Sequence, residues 1–290
     1  MSVTIAVQLV VNGILLGGVY ALAAFGLSLI FGVSGVLNLA HGEFLMGGGL
    51  LVWLAWDLTG LNPFLLTAMI APLAFGAGYL FEKGLIRPLA QRKEHVRLAS
   101  AVLVTLGAAL MMEDIADFLS LNTQYEKSVD LFLPTIVLDK VYLPSLKLVI
   151  LGLVLALIAG LFLFLKRTYL GLAVQAVTQN RRGALLNGVN TVRINAIAFG
   201  IGTVLAAVAG GFEVVDTYVA PNIGLPLTLK YLCIIVMGGL GSFAGVALGG
   251  IIIGLGEAIV GFFQPAWGQT VAFLLLVAIL LIRPKGLFGR

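Results

Sequence analysis

Apolar residues run in long unbroken blocks along this chain, with no alternation of apolar and polar positions; 64–81, 150–165, 196–212 and 270–282 are examples. A membrane-crossing helix needs about 20 such residues, whereas a barrel strand alternates apolar and polar over about ten. The pattern therefore predicts helices, with crossings near 5–31, 36–57, 63–82, 98–118, 147–166, 193–213, 228–240, 243–263 and 268–283. The fold class is all-α: a polytopic membrane protein of eight or nine transmembrane or broken helices in a single domain over 1–290. The segments 36–57 and 228–240 need not be full crossings. No Lys or Arg precedes Lys83, so the first block lacks the basic leader of a secretory signal and reads as a retained span.

Composition sharpens this picture. Apolar residues make up 60% and charged residues 10% of the 290, against about 45–50% and about 25% in soluble domains. Disordered chains, nucleic-acid binders and conventional soluble enzymes are excluded. A lone Cys233 leaves no internal disulfide and no cysteine-rich metal site. Glycine is abundant, at 37 residues, and small residues four apart let membrane helices approach closely. Gly13/Gly17, Gly202/Ala206/Gly210, Gly241/Gly245/Gly249 and Gly250/Gly254 have that spacing. Each series reads as a packing face, or as the face of a helix lining a path or a subunit contact.

Charge sets orientation. Lys83, Arg87, Arg92, Lys93 and Arg97 share one loop, Lys166, Arg167, Arg181, Arg182 and Arg193 a second, and Arg283, Lys285 and Arg290 the tail. Asp57, Asp117, Glu126, Asp130, Asp139, Glu213 and Asp216 fall on the opposite side. The positive-inside rule makes the basic loops and the C-terminus cytoplasmic. Nine spans then place the N-terminus outside, eight inside.

Ionisable residues within apolar segments mark function or interfaces. Asn38, His41 and Glu43 interrupt one such region, and the glycine-rich stretch with Gly239, Gly241 and Ser242 interrupts another. Broken backbone at membrane depth is tolerated where protein or water covers it, and paired interruptions point to a translocation path. His41 and Glu43, two apart, face different directions on a helix. They either pin a broken helix through backbone hydrogen bonds or line the path. Glu257 reads as a buried structural acid. Glu113 and Asp114, about 23 Å into their span at the helical rise, read as a wet helix end or as an acidic outer vestibule that attracts an ammonium group.

Residues 166–193 are too polar to span and too apolar for a plain linker. A short helix over 171–180 with Leu172, Val174 and Val177 as its apolar members, then a second from Arg181, leads into an Asn187-Gly188 turn. An apolar patch with a basic rim suits a lipid surface or a cleft on a cytosolic partner.

Four collinear motifs resemble one family. NLAHGEF at 38–44, GGLGSFAGVALGG at 238–250, AVTQNRRGALLNGVN at 176–190 and LIRPKGLFGR at 281–290 are similar to segments of the branched-chain amino-acid ABC importer permeases, LivH-type subunit. The resemblance implies that 176–190 seats in a groove of an ATP-hydrolysing subunit, through Thr178, Gln179, Asn180, Arg181, Arg182, Gly188, Val189 and Asn190. Family members carry acids where this chain has Asn180, Arg181 and Arg182, so the match to the ATPase would need acidic residues on that partner. The resemblance further implies a second permease subunit (LivM-like or identical), two cytosolic ATPases, an external solute-binding protein and a bacterial-type inner membrane. The cargo would be branched-chain amino acids or related small amino acids or amides, with urea or short amides as the alternative. No Gly-Lys dipeptide occurs, hence no Walker A phosphate cradle; ATP and Mg would sit on the partner, with no cofactor, metal or catalytic residue on this chain. A stand-alone secondary transporter or channel is the rival reading. Gly32-Val-Ser-Gly35 also fits the GxSG pattern of rhomboid-type proteases, but neither His41 nor His95 is placed to serve Ser34 as a base.

Overall fold

The computed structural model describes residues 3–91, 93–119, 126–138 and 141–288. Arg92, Asp139 and Arg290, three of the charges used for orientation, lie outside them, as does the side chain of His95. Eleven α-helices are described: α1 Val3–Ser34, α2 His41–Thr59, α3 Pro63–Phe81, α4 Glu94–Leu119, α5 Ser145–Arg167, α6 Tyr169–Gln179, α7 Arg181–Leu186, α8 Thr191–Asp216, α9 Gly224–Gly238, α10 Phe243–Phe263 and α11 Val271–Ile282. Each predicted crossing corresponds to a helix, and α6 and α7 form the intervening module. Seven segments are long and apolar enough to cross a membrane. The other two depart for separate reasons: α2 has the length but carries His41, Glu43 and Asp57, while α11, with 12 residues, spans about 18 Å of a hydrocarbon core about 30 Å thick. A small antiparallel ribbon, β1 Ile136–Leu138 with β2 Val141–Leu143, precedes α5.

Helices α1 and α8 form the core. Leu22, Ala23, Ala24 and Leu27 of α1 and Ala196, Phe199, Ala206 and Ala209 of α8 are fully buried. By contrast α3, α4 and α5 turn Met69, Leu73, Leu103, Met111, Leu155 and Leu163 outward, as helices facing lipid or a partner do. With no large hydrophobic drive between helices in lipid, close backbone approach holds the core together. Gly13 and Gly17 of α1 lie on Gly250, Gly254 and Leu255 of α10, where a β-carbon on Gly13 would come within 2.7 Å of the Leu255 Cα. Gly202 of α8 lies on Gly26 and Ile30 of α1, and Gly210 on the Leu45 backbone of α2. The series Gly241/Gly245/Gly249 is not a single helix face. Gly241 precedes α10 in a turn, at a φ of 84° that favours glycine, while Gly245 and Gly249 pack on Gly238 and Ile234 of α9.

One end of the bundle collects the basic residues. There Gly32 of α1 lies beside Thr178 of α6, and Gly35 faces the Arg97 guanidinium. The tail closes on the end of α9, with Leu287 N donating to Met237 O (2.8 Å) and Phe288 N to Gly238 O (3.1 Å).

Candidate functional site

Two helices begin inside the bundle instead of at its surface. After α1 ends at the basic face, residues 35–40 turn back along it, and α2 starts where His41 meets Ala23. Ala23 lies eleven residues before Ser34, about 17 Å in from that face at the helical rise. From the opposite face, 217–223 descends before α9 starts at Gly224, whose 15 residues reach about 22 Å back to the basic end. The two starts touch. Gly42 N donates to Thr228 Oγ1 at 2.7 Å, and a β-carbon on Gly42 would collide with the Gly224 carbonyl. Glycine is needed at both positions because one backbone lies directly on the other.

The NLAHGEF segment builds this junction residue by residue. Asn38, fully buried, turns the chain by accepting from Ala40 N at 3.2 Å, and Leu39 N donates to Thr105 Oγ1 of α4 at 3.1 Å. His41 places Nε2 3.0 Å from the Ala23 carbonyl, so the proton sits on that nitrogen, and its ring stands edge-on to Tyr231 of α9. Glu43 points elsewhere. Its carboxylate abuts Gly224, at the positive end of α9, with the Leu225 N–H toward it. Neither carboxylate oxygen has a hydrogen-bond partner of ordinary geometry, and Asn38 Nδ2 and His41 Nδ1 are unpartnered as well. His41 and Glu43 face different helices, as their spacing requires.

The residues grouped with these as path candidates lie apart. Gly239, Gly241 and Ser242 form the turn between α9 and α10, with Gly239 at φ 100° and Ser242 Oγ capping α10 by accepting from Gly245 N at 3.1 Å. The interruption is thus a tight turn at the basic end, separated from Glu43 by the length of α9. Gly241 instead joins Gly32, Lys166, Gln175 and Thr178 around a cavity of about 280 Å³ beneath α6.

Residues 169–190 form two short helices seated on that end. Ala173, Val174 and Val177 of α6 are buried against Leu29 and Val33 of α1 and Ile194 and Ala198 of α8, while Gly171 lies on the backbone of Phe164 and Leu165 in α5. Leu172, expected on the same apolar face, is 53% exposed, because it falls two residues from Val174 on the far side of the helix. Thr178 Oγ1 donates to Val174 O at 2.9 Å. Asn180 follows Gln179 and caps α7 by accepting from Gly183 N at 2.9 Å, leaving Arg181 and Arg182 in the first turn. Gly188 turns the chain at φ 79°, Val189 N returns to Ala184 O, and Asn190 caps α8 by accepting from Arg193 N at 3.0 Å. Leu185 and Leu186, at 57% and 89% exposed, project with the arginines.

Glu113 is half-buried on α4 and Asp114 exposed; Glu113 lies within electrostatic range of Glu43. Ser34, the serine of the GxSG pattern, donates to Ile30 O at 2.7 Å and is not bonded to His41, whose ring is engaged with α1.

Sequence reasoning missed one buried cluster. Lys230 of α9 pairs with Glu257 Oε1 of α10 at 2.7 Å, Tyr20 OH of α1 donates to Glu257 Oε2 at 2.6 Å, and Lys230 Nζ donates to Tyr20 OH at 3.1 Å. A lysine inside an apolar segment was the available signal for Lys230; Glu257 was read as a buried structural acid without its partner. Another unforeseen contact joins Glu82, at the end of α3, to Arg87 at 3.1 Å and to Asn195 Nδ2 of α8 at 3.2 Å.

A family model described as "Branched-chain amino acid transport system / permease component" matches residues 9–280. The high-affinity branched-chain amino acid transport system permease protein BraD of Pseudomonas aeruginosa is 32% identical, covering 98% of this chain and 95% of that protein. LivH of Escherichia coli K12, named for the same system, is 29% identical over 98% and 95%. The ribose import permease protein RbsC of the same strain is 27% identical over 81% of this chain and 72% of its own length.

Proposed function

The chain belongs to the family of branched-chain amino acid transport permease components, and on that premise we propose that it is the membrane permease subunit of an ATP-driven importer for branched-chain amino acids. The observation that carries the reading is the family match along nearly the whole chain, at up to 32% identity to a permease named for that cargo. Two features of the fold support it. Helices α2 and α9 start at mid-depth with polar groups that the bundle leaves unsatisfied, as expected of a path along which a solute exchanges partners. The α6–α7 module offers exposed leucines and arginines beside the buried ends of α1 and α8, a handle through which a separate motor biases two accessibility states.

In this reading the basic end is cytoplasmic, nine crossings put the N-terminus outside, and the membrane is a bacterial inner membrane. A second permease subunit covers the exposed helices, two ATPases carrying ATP and Mg grip residues 178–190, and an external binding protein delivers the cargo. Asn38, His41 and Glu43 stand on the path; Gly239, Gly241 and Ser242 stand at its cytoplasmic end beside the handle.

Reconstitution of the chain with its ATPase, sister permease and binding protein in liposomes tests this. ATP should drive uptake of labelled leucine, isoleucine and valine over urea and acetamide. Uptake by the chain alone, without nucleotide or companions, would overturn the proposal.

A further inference from the structure

A cleft of about 270 Å³ runs between α2 and α4. Its α2 wall is one helix stripe, Glu43, Met46, Gly47, Leu50 and Leu54, and Met112, Ile115 and Leu119 of α4 face it. From Glu43 to Leu54 the stripe climbs about 16 Å, linking the mid-depth junction to the face opposite the basic loops. The walls are apolar except for Lys127, whose ammonium is held over the Trp53 ring at 4.4 Å. The inner end is a carboxylate that is 0% exposed, with no side-chain hydrogen-bond partner on either oxygen and only the Leu225 N–H turned toward it. Glu113 adds negative charge nearby. Three consecutive glycines on α2 separate packing from space. Gly48 lies on Ala207 of α8 and Gly49 on Gly210 and Val219, whereas a β-carbon on Gly47 would meet nothing within 4 Å. Only Gly47 opens onto the cleft.

We infer that this cleft is the passage for the solute, that Glu43 receives the α-ammonium group of an aliphatic amino acid there, and that the Met and Leu wall takes its side chain. A buried carboxylate without a hydrogen-bond partner is costly unless a cation answers it. The α9 N-terminus supplies part of that answer at one side of Glu43, and the cleft lies at the other. A cation with an aliphatic tail satisfies the charge and the apolar wall together, which neither an anion nor a neutral amide does. The inference rests on the permease reading, in which a sister subunit closes the cleft's open side.

The test uses the reconstituted complex, first establishing ATP-driven uptake of labelled L-leucine by the unaltered chain. Absence of that uptake would overturn the permease reading itself; the arms below then bear on the cleft alone. Gly47→Trp should cut uptake at least tenfold in a complex that still assembles. A Gly47→Cys thiol should react at least fivefold faster with the cationic 2-aminoethyl methanethiosulfonate than with its anionic 2-sulfonatoethyl counterpart. L-leucine should slow that reaction, and Glu43→Gln should erase the charge preference; a carboxylate with a purely structural role would not. Buried Cys233 sets the background. Uptake unaffected by Gly47→Trp, or labelling indifferent to leucine, would assign the cleft to lipid and overturn the inference. Equal reaction with both reagents would overturn the role of Glu43.

Discussion

Helix α9 carries two buried charged regions a few residues apart, and they are built on opposite principles. At its first turn, Glu43 of α2 abuts Gly224 with neither oxygen partnered. Six residues on, Lys230 meets Glu257 and Tyr20 in a closed triangle of 2.7, 2.6 and 3.1 Å contacts. The second cluster answers its own charges and ties α1, α9 and α10 together. The first has only the N-terminus of α9 beside it and no side-chain partner in the same bundle. Folding tolerates a buried ionisable group when its partners are internal, so the closed triangle is explained by the fold and the open site asks for a ligand.

The most disruptive way to probe that contrast is to open the closed cluster. Lys230→Met strands Glu257 in the interior and should cost about 3–5 kcal/mol of stability, read as a lowered unfolding midpoint in detergent. The double variant Lys230→Met with Glu257→Leu should recover most of the loss, because both charges leave together. Glu43→Gln, which removes no completed hydrogen bond, should cost about 1 kcal/mol or less and register in transport instead. Equal destabilisation by Lys230→Met and Glu43→Gln would erase the distinction.

The junction itself offers a smaller, steric contrast. Gly42→Ala pushes a methyl group into the Gly224 carbonyl and should cost about 1–3 kcal/mol by overpacking. Gly47→Ala, five residues on, enters open space and should stabilise α2 by about 0.5–1 kcal/mol through helix propensity. The same detergent unfolding series separates the two; a loss at Gly47 matching that at Gly42 would mean the cleft is filled.

How much of this was legible beforehand follows from the range of each interaction. Block length and hydropathy are local, so each of the nine apolar segments read from the sequence falls on a helix, and the 243–263 boundary coincides with α10. Spacing on one helix is also local, and it foretold that His41 and Glu43 diverge. The small-residue pairs at Gly13/Gly17 and Gly250/Gly254 were visible as spacing, but that they face each other is a property of the fold. Depth was not legible. The break in the second half was expected at 238–245, where glycines are densest, yet the chain bends there into a tight turn at the basic end. The mid-depth start of α9 falls at Gly224 instead, because the Gly42–Gly224 approach requires two glycines 182 positions apart to coincide. Lys230 and Glu257 were missed as a pair for the same reason: nothing short-range relates residues on different helices.

The gentlest probe lies at the far end of α8, the helix that joins the two halves of the mechanism. Its N-cap is Asn190, whose Oδ1 accepts from Arg193 N, and its middle packs against α2, Gly210 on the Leu45 backbone. Motion of α7 can reach α2 along this rigid element. Asn190→Ala removes the cap and should cost only about 1 kcal/mol, too little to unfold a helix buried along most of its length. Gly188→Ala strains a left-handed turn by a comparable amount, about 1–2 kcal/mol. Both changes loosen the hinge between α7 and α8 and leave the cleft and the ion cluster intact. In the reconstituted complex the pair should therefore lower leucine uptake per ATP hydrolysed while the unfolding midpoint hardly moves. If uptake and hydrolysis stay in their original ratio, force does not enter through residues 180–190, and α8 is a passive strut.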